Sequence, residues 1–234
     1  MMKVLHNRKE IDDSTASLLK RGLTPHEDTP KNWDLLQIAE ILEHTPKSAA
    51  ILDMGASHSA VLGLLVRQGF SNGVGIDLHF TLKDRVAFWI RTIQNHFRRP
   101  YTLVSGDLTR TKFRDQSFDV IICQSVIEHG VDETAFFREC ARLLKDNGTL
   151  FVSTDYWPEK AETPSGTPAF NLPWKIYSAD EIRTLHAIAV REGFLIDDDA
   201  LTLEAETPQV FWQGKAYTFI ALTYKKRHTP KQGT

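Results

Sequence analysis

The sequence predicts an α/β fold: a mostly parallel sheet covered by helices on both faces. Three observations lead there. From Ala49 onward, short apolar runs alternate with longer stretches of helical period, the pattern of successive βα units. Residues 118–124 hold Val120, Ile121 and Ile122 in unbroken succession, as a strand buried on both faces requires. An Asp-x-Gly step, Asp53-Met54-Gly55, stands where the first apolar run gives way to its helix.

The elements follow in order. Residues 49–54 read as the first strand and 59–67 as a helix closed by Gly69. Residues 72–77 form the second strand, and a helix over 82–97 is stopped by Pro100. Strands at 101–105 and 118–124 come next, then a helix over 132–144 that ends at Asp146-Asn147-Gly148 before a fifth strand at 149–154. Residues 155–177 carry Pro158, Pro164, Pro168 and Pro173 among aromatic residues, too irregular for an element and long for a mere connection. Ser178 and Glu181 have the spacing of a capping box for a helix running to Gly193, and two last strands near 201–205 and 217–224 are expected to pair as a hairpin.

Upstream, amphipathic helices at 11–23 and 33–42, separated by Pro25 and Pro30, suggest an N-terminal helical cap over residues 1–46. No internal repeat appears, so one domain is expected. Its parts are the cap, a cofactor-binding core at 49–154, an acceptor loop with helix and strands at 155–224, and a tail at 225–234.

Composition narrows the function. With 28 Lys and Arg against 30 Asp and Glu, the chain lacks the basic excess that a phosphate backbone demands, so no nucleic-acid partner is expected. The basic residues Lys225, Lys226, Arg227, His228 and Lys231 read as a solvated tail. Cys123 and Cys140 form neither a disulfide framework nor a C-x-x-C pair, and the nine histidines show no metal-binding spacing. Residues 1–10 lack the apolar core of a signal peptide, and no run is long enough to span a bilayer. The expectation is a cytoplasmic protein with no membrane partner and no metal; oligomeric state is left open.

The chemistry is carried by strand ends. In open α/β sheets ligands lie beyond the carboxyl ends of the strands, and a glycine in the first turn lets backbone approach the ligand. Asp77 closes the second strand, where a carboxylate can accept both hydroxyls of a ribose. Gly106-Asp107-Leu108 closes the third, where an acid can accept an exocyclic adenine amine. Each acid alone reads as a turn or cap residue; three in successive βα units point to a nucleoside.

Asp53, Gly55, Asp77, Asp107, Phe118-Asp119-Val120-Ile121-Ile122 and Glu128-His129 together resemble the class I S-adenosylmethionine-dependent methyltransferases, the type 11 branch in particular. Ala141-Arg142-Leu143-Leu144-Lys145-Asp146-Asn147-Gly148 is similar to that family's helix, turn and fifth strand. The resemblance covers residues 49–154 and implies a Rossmann-like, seven-stranded sheet with an antiparallel last strand. It implies S-adenosylmethionine as cofactor, held by Asp53, Gly55, Ala56 and Ser57 at the methionine end, Asp77 and Leu78 at the ribose, and Asp107 and Leu108 at the adenine. Gln124 and Ser125 line the methionine moiety by the same resemblance. One departure stands out: the family's acid-x-Gly-x-Gly-x-Gly is here Asp53-Met54-Gly55-Ala56-Ser57-His58-Ser59, and serine restricts the loop where glycine would not.

A methyl group already activated on a sulfonium needs a nucleophile placed in line and water kept away. A hydroxyl nucleophile gains from a base, and His129, after the fourth strand, is the first candidate. Asp155, Tyr156, Trp157, Glu159 and Lys160, after the fifth strand, form a second set, with Trp157, Trp174 and Tyr177 as an aromatic wall. Asn32 is read as a helix cap, and Lys31, Trp33 and Asp34 as residues that close over the cofactor. The acceptor expected is a small polar molecule, such as a sugar or biosynthetic intermediate. A nicotinamide-dependent oxidoreductase fits poorly, because residues 55–59 are not G-x-G-x-x-G; a binding module of the same fold without turnover stays open. Cys123-Gln124-Ser125-Val126 lacks the Pro-Pro-aromatic stack that would hold a flipped base.

Overall fold

The computed structural model describes residues 1–94, 101–163, 172–196 and 202–228. Six strands form the body of one sheet: β2 (Ile51–Met54), β3 (Gly73–Asp77), β4 (Thr102–Ser105), β5 (Phe118–Gln124), β6 (Leu144–Tyr156) and β9 (Lys215–Lys226). They lie in the order β9-β6-β5-β2-β3-β4, all parallel except β9, which runs antiparallel to β6. The order reverses between β2 and β5, which opens a crevice at their carboxyl ends.

The far side of β9 is shared by three short strands: β1 (Met2–Val4), β7 (Phe194–Leu195) and β8 (Val210–Trp212). Two expectations are corrected here. The hairpin partner of β9 is not 201–205 but Val210–Trp212, joined through Gln213 and Gly214, both at positive φ (49° and 71°), the two-residue turn whose twist suits a hairpin. Residue 201 lies outside the described residues, and Leu203 is buried in the core instead of paired. The stretch expected as an N-terminal helical cap is also not all helix, since Met2, Lys3 and Val4 pair with Leu222, Ala221 and Ile220 as a strand.

Side-chain alternation along the central strands explains the layers. Ile51, Val120, Ile122 and Phe151 face one hydrophobic cluster, with α1 (Arg8–Lys20), α2 (Asn32–Glu43) and α3 (Val61–Arg67). Leu52, Met54, Ile121, Cys123, Leu150 and Val152 face the other, with α5 (Glu133–Leu143) and α6 (Ala179–Arg191). The last helix, α4 (Leu82–Gln94), covers β4 on the first side through Phe88, whose ring meets Tyr101 edge-on at 5.5 Å. Residue 97 and Pro100, expected to end that helix, lie outside the described residues.

Helix starts follow local hydrogen bonding. Asn7 caps α1 by accepting the Glu10 N–H, Asp132 caps α5 by accepting that of Ala135, and Ser178 with Glu181 forms the expected capping box of α6. Asn32 is not a cap. It is the buried first residue of α2, where its carbonyl accepts the His26 N–H at 2.7 Å and its amide donates to Thr15 at 3.1 Å. The turn expected at Asp146-Asn147-Gly148 is instead the bulged start of β6, with Asn147 at φ 61° and a register shift between Phe118 and Val120.

Candidate active site

Three βα turns meet at the carboxyl edge of the sheet. Gly55 and Ala56 donate their N–H groups to the Ile76 carbonyl, and Gly106 donates to that of Asp77, so the ends of β2, β3 and β4 are stitched together. Gly55 sits at φ +80°, and a Cβ there would stand 2.2 Å from a methyl of Val126 in the turn after β5. No side chain fits, for reasons of both conformation and space.

The serines that replace glycine in this loop are held by acids. Asp77 accepts the Ser57 N–H at 3.0 Å on one oxygen and the His79 N–H at 3.0 Å on the other. Asp84 accepts the Ser57 hydroxyl at 2.8 Å and the His58 N–H at 2.7 Å, and exchanges capping bonds with Thr81. His58 adopts φ 58°, a left-handed conformation that these bonds stabilise. Burial pushes the Asp84 carboxyl up, but the bonds from Thr81, His58 and Ser57 outweigh it and hold it below the ordinary carboxylate range. Asp84 was not singled out in the sequence; the Thr81-x-x-Asp84 spacing signals a helix start, but not the reach back to Ser57.

The other expected cofactor residues surround this loop. Asp53 is buried at the end of β2, and burial raises its carboxyl to about 7, against a bond from Ser59 and with a small further push from Asp77. Asp107 stands exposed after β4, accepting the Thr109 N–H and hydroxyl at 2.8 and 2.7 Å, while Leu108 beside it is buried and Leu78 is half-exposed. Gln124 donates to Asp34 at 2.7 Å, and Ser125 follows at φ 52°.

A second group lies at the ends of β5 and β6, under α2. Asp34, Glu128 and Asp155 are all buried. Asp34 bridges the two strands, accepting from Gln124 and from Ser153 at 2.7 Å each. Glu128 accepts the Thr154 hydroxyl at 3.0 Å, and Asp155 accepts the Trp174 indole N–H at 2.7 Å. Burial raises all three carboxyls, and Glu128 is raised further by the charge of Asp155. The Lys31 ammonium, 5.4 Å above the Phe219 ring, opposes this rise at each of them. His129 is bonded to the Pro173 carbonyl; burial first, and then Lys31, lower its ring to about 4.

Several expected acceptor residues do not reach this group. Tyr156 points into the opposite layer, fully buried, and its hydroxyl donates to the Leu203 carbonyl, because successive residues of a strand face opposite ways. Tyr177 lies in that same layer, donating to Glu133 at 2.9 Å, so it is no part of an aromatic wall. The wall is instead Trp174 with Trp212 and Tyr217, at centroid distances of 4.7 and 5.8 Å. Lys160 pairs with Glu181 at the surface. Pro164 and Pro168 lie outside the described residues.

The residues present fit an adenosyl cofactor with a cationic amino-acid end. Asp53 Oδ2 and the Ser125 hydroxyl are buried without a hydrogen-bond partner among the described residues, and buried polar groups seldom stay unpaired without a reason. Each oxygen of Asp77 accepts one backbone N–H and keeps a lone pair for a diol. Residues 52–152 match the family described as "Methyltransferase domain", the type 11 methyltransferases. This segment is a class I S-adenosylmethionine-dependent methyltransferase domain. A probable S-adenosylmethionine-dependent methyltransferase of Mycobacterium tuberculosis is 32% identical over 128 residues, which cover 52% of this chain and 46% of that protein. A ubiquinone biosynthesis O-methyltransferase of Pelagibacter ubique is 30% identical over 108 residues, 46% of this chain and 42% of the relative. The chain thus matches less than half the length of each. The crystal structure of a methyltransferase from Methanosarcina mazei superposes with a TM-score of 0.60 at 16% identity, covering 80% of this chain and 97% of that one. The last likeness is one of fold.

Proposed function

We propose that the chain transfers a methyl group from S-adenosylmethionine to a polar atom, most simply a hydroxyl, of a small-molecule acceptor. The observation that carries this reading is at the Gly55 turn, where Asp53 Oδ2, close to Asp77, and Ser125 Oγ are buried without a hydrogen-bond partner among the described residues. In this reading Asp53, Gly55, Ala56 and Ser57 frame the methionine end, and Gln124 and Ser125 form its floor. Asp77 with Leu78 takes the ribose, Asp107 with Leu108 the adenine, and α1 and α2 close over the group. The bound cofactor supplies an activated methyl, so the protein has to orient the acceptor and exclude water.

The proton released by a hydroxyl acceptor needs a home. His129, neutral through the whole neutral range, is too weak a base to hold it, and serves better to hydrogen-bond the acceptor. Asp155, raised to about 6 by burial with a further push from Asp34, is the better-matched proton acceptor; Glu128 beside it is raised well above the ordinary carboxyl range by burial and by Asp155, and Lys31 opposes the rise at both. Trp174, held by Asp155, and the Trp212 and Tyr217 rings packed against it form an apolar wall beside that carboxyl. Sugars and other hydroxylated biosynthetic intermediates suit this mix of acids and aromatics, and the O-methyltransferase name of the Pelagibacter relative favours oxygen as the methylated atom.

Calorimetric titration with S-adenosylhomocysteine and with NAD, followed by transfer of radiolabelled methyl to sugars, sugar nucleotides and phenols, tests the proposal. Binding of the former alone and label in a hydroxylated acceptor are expected. Cofactor binding with no transfer to any acceptor in a metabolite extract would instead leave a binding module.

A further inference from the structure

Helix α4 presents an apolar stripe to solvent. Leu82, Val86, Trp89, Ile90 and Ile93 are 77, 47, 62, 49 and 58% exposed, and their spacing of i, i+4, i+7, i+8 and i+11 places them on one face. The orientation is fixed from behind. Phe88 packs on Tyr101, Arg91 donates to the Tyr101 hydroxyl at 2.9 Å, Thr92 is buried, and Asp84 is bonded to Ser57 and His58. These residues hold the helix by the side that carries Asp84, Phe88, Arg91 and Thr92 and turn the apolar stripe outward, where an ordinary surface helix presents polar residues.

Charge and area select the occupant. Lys83 and Arg85, both exposed, border the stripe on either side, and the only acid of the helix, Asp84, is turned inward. The surface that meets a partner is therefore apolar and cationic. Its size argues against a second protein copy: a stripe along a helix of 13 residues is about 20 Å long and about 10 Å wide, on the order of 200 Å², whereas stable interfaces cover about 800 Å² on each partner. A bilayer sets no such minimum, because a helix lying flat sinks its apolar face among the acyl chains and its cations meet anionic headgroups. Trp89, with a polar N–H on a large apolar ring, suits that boundary.

We propose that α4 is a peripheral docking surface for a bilayer bearing anionic lipid. No described helix is long and apolar enough to cross a membrane, so the contact is one of adsorption. It departs from the sequence-based expectation of no membrane partner, which weighed only spanning segments. The proposal does not depend on the methyltransferase reading.

Vesicle flotation of the full chain, with phosphatidylcholine alone and with about one-third phosphatidylglycerol, tests it at low salt. The protein should float with the mixed vesicles and scarcely with the neutral ones. Trp89→Gln with Ile93→Gln should reduce partitioning at least tenfold, and Lys83→Gln and Arg85→Gln about fivefold each. Phe211→Gln, which removes an even more exposed ring on the β8 hairpin, should change nothing. Circular dichroism melts check that the variants fold, and quenching of tryptophan emission by brominated acyl chains reads the same contact in the unaltered protein. Failure to float with either vesicle, or flotation and quenching indifferent to α4 substitutions, overturns the proposal. So does a concentration-dependent dimer that Trp89→Gln dissociates.

Discussion

Asp53→Asn removes a charge that the fold is poorly built to hold. From the ordinary carboxyl value of 3.8 to about 7 in the folded protein is roughly three tenfold steps in proton affinity. At ~1.4 kcal/mol for each step, ionising Asp53 costs the free protein about 4 kcal/mol. The sign follows from linkage: the folded state holds the proton between pH 3.8 and about 7 while the unfolded chain has released it, so stability falls as pH rises through that window. The neutral isostere has no such dependence, and about 2 to 3 kcal/mol of the difference should fall between roughly pH 5 and pH 8. Urea denaturation of both proteins at the two pH values measures it. The other buried carboxyls are common to both, so the difference between the two slopes belongs to Asp53. Saturating S-adenosylhomocysteine should shrink the wild-type loss, because the ligand's ammonium supplies the missing partner. Identical slopes in wild type and variant would refute the reasoning.

Further outcomes are expected from the same geometry. Gly55→Ala should abolish cofactor binding and lower stability by about 1–3 kcal/mol; Val126→Ala should restore part of the stability by removing the 2.2 Å clash, but not the cost of φ +80°, as thermal melts would show. Tyr156→Phe should leave turnover intact and cost about 1 kcal/mol of stability, the value of one buried hydrogen bond; a large loss of turnover would return Tyr156 to the acceptor site. Asp155→Asn should depress kcat more than His129→Gln does. In the wild type, kcat/KM should rise with pH through a carboxyl displaced upward, because the unprotonated form accepts the proton. A greater loss in His129→Gln would reverse the assignment of the base.

Strands β2, β3 and β4 were legible because they are short and closed by Asp or Gly. The run at 118–124 and the Asp-x-Gly step located β5 and the end of β2, and residues 178–181 located the start of α6. The edge was not legible. The seventh position of the sheet is divided among β1, β7 and β8, and strands of two or three residues carry no periodicity to read. Gln213-Gly214 was the available hairpin signal, but glutamine is an uncommon residue at positive φ. In the site, strand-end acids were visible from spacing, whereas the reach of Asp84 to Ser57 and the gathering of Asp34, Glu128 and Asp155 around Lys31 join residues up to 124 positions apart, as Lys31 and Asp155 are. Tyr156 was misplaced through a parity error: adjacent to Asp155, it must face the opposite side of β6.

A crystal structure with S-adenosylhomocysteine bound tests the central claim most directly. The ribose hydroxyls should lie within hydrogen-bond distance of the Asp77 carboxylate, and the ligand's ammonium should stand near Asp53 Oδ2. A nucleoside seated away from the Gly55 turn, with Asp77 still bonded only to Ser57 and His79, would contradict the account.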